Sequence, residues 1–402
     1  MRPRAPPDGP GNGSHPPGAG RALTPGHGSH LSHDPRRRAR PARRLLAGAG
    51  ADYAAARNTD RGPGVEPTTS ALSPYLRRRL ITEAEVAAAA ERAFGDGGAE
   101  KFVSEVFWRT YFKGHLETHP SAWTESLALA ASDRERLAAE PGLRRTYESA
   151  VEGRTGIDGF DDWARELVET GWLHNHARMW FASIWIFTLR LPWALGAEFF
   201  LRHLVDGDPA SNTLSWRWVA GLHTRGKHYV ARAENIRRYT EGRFDPAGLD
   251  EYPDALDEAM PPREVALPRP EPVPSGDVAL LLHLDDLSPE SLPLGAARVV
   301  RVGGLLAHAP GASERVRAAD AAAMADGLER AAAQFGCAAR LVEEDWSGDL
   351  PVVTAWAPVG PSADALPDAC IRIRRGWDEA AWPRSNRGYS RLRSAIPAVL
   401  TA

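Results

Sequence analysis

The sequence predicts a multidomain protein of α and α/β class, an all-helical domain followed by a smaller α/β domain. Three observations carry this. The 402 residues, 43% of them hydrophobic, exceed the usual size of a single core. From Ile81 to about Tyr239 apolar residues recur with helical period, whereas beyond Asp277 they come in the short runs typical of strands. Between these patterns residues 261–276 carry six prolines, the composition of a stiff, extended spacer. The expected division is a tail over 1–45, a helical domain over 46–262, a linker over 263–276 and an α/β domain over 277–402.

The tail holds nine arginines against two aspartates among Pro, Gly, Ser and His, too polar to bury a core. It reads either as a basic arm for nucleic acid, or as a disordered tail or a start codon called too early. The helical region opens with Thr82–Phe94, where Thr82 and Glu85 form a capping-box pattern. Seven of the thirteen tryptophans fall between Trp163 and Trp218, although each ring taken singly is explained by core packing. In the last region, strands are expected at Val278–Leu284, Arg298–Val302, Arg340–Val342, Val352–Trp356 and Ile371–Ile373. A helix is expected over Ser313–Phe335, giving a mostly parallel sheet. No GxGxxG or Walker pattern marks a nucleotide site there.

The apolar stretch Trp180–Leu191 is interrupted by Thr188 and Arg190 and stopped by Pro192, so no membrane span is expected. The chain opens without the apolar core of a secretory signal, and its two cysteines, Cys337 and Cys370, are far apart. A cytoplasmic protein is expected, with no metal site. An iron–sulfur cluster takes four thiolates.

Two helical stripes carry chemistry. Glu105, Trp108, Arg109 and Phe112 stand at i, i+3, i+4 and i+7, and Trp172, Asn175, His176 and Met179 repeat that spacing in a helix expected over Gly171–Ala182. Aromatic planes beside hydrogen-bonding groups suit stacking on an extruded base. Locally paired amphipathic helices explain the same spacing.

The wording of these segments goes further. TGWLHNHARM (Thr170–Met179) and LVDGDPASNTLSWRW (Leu204–Trp218) closely resemble the signature of the photolyase and cryptochrome family. TSALSPYL (Thr69–Leu76) and EVFWRTYF (Glu105–Phe112) resemble two further family motifs in the same order, and the resemblance covers Tyr53 to Pro246.

The resemblance implies a bent FAD in the helical domain, with Tyr53, Thr69, Ser70, Ala71, Leu72 and Ser73 on its phosphate side. Asp206, Gly207 and Asp208 match the acidic turn beside the isoalloxazine and ribityl chain, with Arg178 pairing Asp206, and Asn212 matches the residue that faces flavin N5. Trp216 and Trp193 match the first two members of the family's electron-transfer chain. Its third position, near Glu140, has no ring, leaving Tyr147, Trp163 or Trp185 as substitutes. Glu105, Trp108, Met179 and Trp218 match the pocket for a flipped pyrimidine dimer, with Arg109, Asn175 and His176 beside them. His176 stands where the family usually has Arg, and Gly221–Ile236 departs from its common wording. Arg217, Arg225, Lys227, Arg232, Arg237, Arg238 and Arg243 face only Glu234 and Glu241 between 217 and 243, a patch for phosphates or a solvated face.

Family members place an antenna-type α/β domain ahead of the helical one, for which there is no room before Tyr53. The unit from Asp277 onward is expected to be a permuted, degenerate counterpart: VALLLHLDDLSP resembles its first strand and turn, and GYSRLRSAIPAVL the family's exit helix. Whether an antenna chromophore binds is left open. The expected function is a DNA photolyase acting on pyrimidine dimers in DNA, as a monomer. The alternative is a cryptochrome-like photoreceptor, favoured by the Gly221–Ile236 departure and the incomplete tryptophan chain.

Overall fold

The computed structural model describes residues 51–401 apart from Asp96, Glu344 and Asp345. The tail over 1–45 lies outside the described residues. Helices fill the first part: α1 (Ala51–Ala56), α2 (Ser73–Arg77), α3 (Glu83–Phe94), α4 (Glu100–Thr118), α5 (Ser121–Ala139), α6 (Pro141–Val151), α7 (Phe160–Thr170), α8 (Asn175–Ser183), α9 (Trp193–His203), α10 (Pro209–Ala220) and α11 (Ala233–Tyr239). The capping box is present, Thr82 Oγ1 accepting from Glu85 N and the Glu85 carboxylate from Thr82 N. The second stripe needs a correction. Gly171 ends α7 at φ 74° and the chain runs non-helically to α8, so Trp172 does not share a helical face with Asn175, His176 and Met179. A π-type turn, Ile184–Thr188, continues α8 and carries Trp185, whose Nε1 donates to Pro192 O.

Strands β1 (Gly276–His283), β2 (Ala297–Leu305), β3 (Ala339–Leu341), β4 (Val352–Ala355) and β5 (Ile371–Ile373) form a parallel sheet of order β3-β2-β1-β4-β5. Strand β2 runs past its expected end because Gly303 and Gly304 lie flush against Trp346 and Met324, where a Cβ would clash. Helix α12 (Glu314–Phe335) packs on the sheet, followed by α13 (Pro361–Ala365), α14 (Gly376–Ala381), α15 (Tyr389–Arg393) and α16 (Ile396–Leu400). The last three leave the sheet: Trp377, Trp382, Leu392 and Val399 share a core with Phe102, Val103, Phe107 and Tyr111 of α4. Residues 261–276 run extended along both parts, Val265 N donating to Thr118 O and Glu271 N to Arg372 O.

In a doubly wound sheet of this order, ligands ordinarily enter beyond the carboxyl ends of the strands, where strand order reverses. Here that place, after β1, holds Asp285 and Asp286. Their partners are Arg77 and Arg79 of the helical part, and Arg375.

Candidate functional site

The turn between α9 and α10 organises the site. Gly207 N closes it on Leu204 O at 3.0 Å, and Asp208 caps α10 by accepting from Ser211 N at 2.7 Å. Asp206 accepts 2.8 Å from Arg178 Nη2, whose Nε also donates to Leu173 O. Asp208 faces Arg109 at 3.2 Å and Lys113 at 3.7 Å, both from α4. Burial works to raise both carboxyl groups. Arg178, the Ser73 hydroxyl and Arg109 outweigh it at Asp206, and Lys113, Arg109 and Arg77 at Asp208, so both stay ionised below the usual range. Asp206 Oδ1, Ser211 Oγ and Lys113 Nζ are buried without a hydrogen bond among the described residues. An acceptor on the turn, a hydroxyl in the first turn of α10 and an ammonium from α4 fit a hydroxyl-rich, anionic group such as FAD.

Tyr53 is buried edge-on against Phe102, at 5.4 Å between centroids. In the segment Thr69–Ser73, which leads into α2, Leu72 is buried and Ala71 sits at φ 51°, the left-handed region that favours glycine, a strain typical of ligand-holding loops. Asn212, one turn into α10, gives its Nδ2 to Ala197 O at 2.8 Å and lines a cavity of about 230 Å³ shared with Trp123, Ser126 and Leu201.

The residues expected to receive a base form two groups. In one, Glu105 pairs with Arg57 at 2.6 Å, and Trp108 stacks on Tyr389 at 3.7 Å and 14°. Burial raises the Glu105 carboxyl although Arg57 opposes it. In the other, Trp218 stacks on Tyr229, whose hydroxyl reaches His176 Nε2 at 3.4 Å, and Asn175 lies over Met179. His176 also lies against Trp180 and bonds Asn58 O at 2.9 Å, so the segment Arg57–Asn58 links the two groups.

Trp216 meets Trp185 edge-on at 6.2 Å, and Trp185 meets Tyr147 at 5.8 Å. Gly196 permits this, since a Cβ there would stand 2.3 Å from the Trp216 ring. Trp193 lies beneath the Arg217 guanidinium at 5.8 Å.

The basic face is less bare than its local sequence implies. Arg217 is buried and pairs with Glu258, while Arg225 meets Asp257, Arg237 meets Asp245 and Arg243 meets Asp60.

Four residues of the site escape the motif reading: Arg57, Arg77, Lys113 and Tyr389. Lys113 continues the Glu105–Arg109 stripe at i+4, a signal open to periodicity. Tyr389 stands 281 residues from Trp108 and gives none.

Residues 102–253 match the family described as the FAD binding domain of DNA photolyase. The deoxyribodipyrimidine photo-lyase of Streptomyces griseus is 35% identical over 217 residues, 47% of this chain and 46% of that protein. That of Escherichia coli is 32% identical over 179 residues, 44% and 36% of the two chains. The crystal structure of a bacterial class III photolyase from Agrobacterium tumefaciens is 26% identical, with a TM-score of 0.42 over 50% of this chain and 42% of that one. The chain thus spans less than half the length of these relatives. Its helical region belongs to the photolyase and cryptochrome family.

Proposed function

We propose that this chain binds FAD non-covalently and is a blue-light-driven DNA photo-lyase acting on pyrimidine dimers. The observation that carries the reading is the turn at Asp206–Asp208, with Arg178, Arg109 and Lys113 converging on it and three buried polar atoms that make no hydrogen bond among the described residues. Tyr53, Thr69–Ser73, Arg178, Asp206, Asp208 and Asn212 would hold the cofactor. When bound and reduced, it supplies a light-driven one-electron donor to the dimer. Around it Arg178 keeps Asp206 ionised, and Asn212 offers an amide that adds no charge. Trp108, its plane fixed by Tyr389, and Trp218 offer rings for the extruded bases, and Glu105 an acceptor for a base edge. Trp216, Trp185 and Tyr147 line up oxidisable rings from the core to the half-buried face of α6, which supports single-electron passage with Tyr147 in the outer place.

The sequence relatives reported above carry the photo-lyase name, which favours repair over the photoreceptor alternative. No helix of the described residues is long and apolar enough to cross a membrane. We read the protein as cytoplasmic and monomeric. We also read residues 277–402 as a permuted counterpart of the family's α/β domain, a reading the parallel order β3-β2-β1-β4-β5 supports.

The test is flavin analysis after heat release, followed by blue-light repair of a dimer-containing oligonucleotide by the reduced protein. Bound FAD with light-dependent repair is expected. Absence of flavin after reconstitution overturns the whole reading, and flavin without repair overturns the enzyme.

A further inference from the structure

The run Arg77-Arg78-Arg79 closes α2 with three cations, all nearly or fully buried. The first two have the same layout. Arg77 donates from Nε to Gly207 O at 2.6 Å and from Nη1 to Asp285 Oδ1 at 2.5 Å. Arg78 donates from Nη1 to Val205 O at 2.7 Å and from Nε to Asp320 Oδ1 at 2.8 Å. One end of each guanidinium thus holds a carbonyl flanking Asp206, and the other is held by a carboxylate of the α/β part. The third cation differs. Among the described residues, the Arg79 side chain meets only carboxylates, those of Glu83, Asp286 and Asp378.

From this geometry we propose that Arg77 and Arg78 are positioning residues for the Val205–Asp208 turn, and that the C-terminal α/β part, through Asp285 and Asp320, fixes how that turn presents its carboxylates to the cofactor. The inference rests on the reading of this turn as a flavin site. A turn whose two carbonyls are pinned cannot rotate its peptide planes, so the side chains of Asp206 and Asp208 keep their directions without help from the ligand. Preorganisation of this kind lowers the cost of binding. A guanidinium suits the task because its planar fork holds a carbonyl and a carboxylate in fixed relative directions, which the rotatable donors of an ammonium do not impose. Asp320 is itself held by His308 Nδ1 at 2.8 Å, so the second clamp is anchored inside the α/β part.

The experiment compares Arg77→Gln, Asp285→Asn and Asp320→Asn with Arg79→Gln as the control for a purely structural ion pair. Amide hydrogen exchange across 205–211 is read in flavin-free protein, and the FAD dissociation constant and the fine structure of the bound flavin's absorption band in loaded protein. Arg77→Gln is expected to speed exchange in the turn and raise the FAD Kd roughly 10-fold, with Asp285→Asn and Asp320→Asn giving roughly 3- to 10-fold. Arg79→Gln is expected to lower the melting temperature but leave all three readouts near wild type. Should Arg77→Gln not fold, the two Asp→Asn variants decide the matter. Wild-type exchange and Kd in folded variants overturn the inference while leaving the flavin reading intact. A wild type that takes no FAD overturns the flavin reading, and the cofactor half of the inference with it; unaltered exchange overturns the rest.

Discussion

Arginine–carboxylate pairs occur in two regions of this molecule with opposite physics. In the seam between the helical and α/β parts, Arg77, Arg78, Arg79 and Arg375 meet Asp285, Asp286, Asp320 and Asp378, all buried. On the basic face after α10, Arg225 and Asp257 stand mostly in water, at 84% and 71% exposure. In the seam the cost of removing charges from water is met only while every partner is in place. On the face, water serves whichever charge loses its partner. The seam is therefore fragile to single substitutions, and the face is free to exchange protein carboxylates for other anions.

The largest effect is expected at the centre of the seam. Arg79→Met leaves Glu83, Asp286 and Asp378 with less compensation, and breaking buried pairs in this way costs about 3–5 kcal/mol. Urea unfolding followed by tryptophan fluorescence measures it. A loss below about 1 kcal/mol would mean that water reaches the seam and that the two regions differ little.

The next expectation concerns pH. Glu117, on α4, accepts from Trp356 Nε1 and Val359 N, yet burial dominates and pushes its carboxyl up to about 7. Since the folded value lies above the ordinary 4.5, the folded state binds the extra proton. The stabilisation is full below about 4.5 and is lost as pH rises through about 7. Buried histidines act oppositely: burial holds His115 to about 3 and His223 to about 4, so their share is present above 6.5 and is lost as pH falls through those values. Wild type and Glu117→Gln should therefore be compared at the same pH values. The variant should gain on wild type between pH 5 and 7.5 by on the order of 2 kcal/mol. Equal slopes would show that Glu117 is ionised at neutral pH with Arg374 as its counter-charge.

How much of this was legible follows from the range of the interactions. Helices and strands announce themselves within a few residues, so the change of period near Asp277 marks the sheet and Thr82 with Glu85 marks the start of α3. Arg178 and Asp206 are 28 residues apart but lie inside recognisable wording, and their ion pair is present. The seam is different. Arg77 finds its carboxylate 208 residues away and Arg78 242 away, so the sequence shows only three consecutive arginines with no sign of their partners. The counter-charges of Arg225 and Arg237 lie just beyond the window in which the local balance was struck, at Asp257 and Asp245. The break after Gly171 that removes Trp172 from its stripe is set by the glycine's left-handed φ, which periodicity does not encode.

A smaller effect separates local from tertiary stability. Thr82→Ala removes the acceptor for Glu85 N but no long-range partner, and should cost about 1 kcal/mol. Thermal unfolding checks this. A much larger loss would mean that α3 is held in place chiefly through its first turn, tying the cap to the seam through neighbouring Glu83.

The smallest effect on stability, and the sharpest test of the comparison, belongs to Arg225. Its pair with Asp257 spans 3.1 Å in water, and such pairs contribute about 0–1 kcal/mol, so Arg225→Ala should shift unfolding by less than about 0.5 kcal/mol. Nucleic-acid binding should respond differently. If the face meets phosphates, Asp257 competes with them for Arg225, and DNA replaces one carboxylate with another anion at little net cost. Arg225→Ala should then reduce the slope of log affinity against log salt by roughly one, on undamaged and dimer-containing duplexes alike, because a phosphate contact carries no information about the base. Asp257→Asn should act the other way, raising affinity at low salt while leaving the slope nearly unchanged. An unchanged slope in Arg225→Ala together with an unchanged affinity in Asp257→Asn would make the face an internally neutralised surface, and the contact with DNA would then have to lie elsewhere.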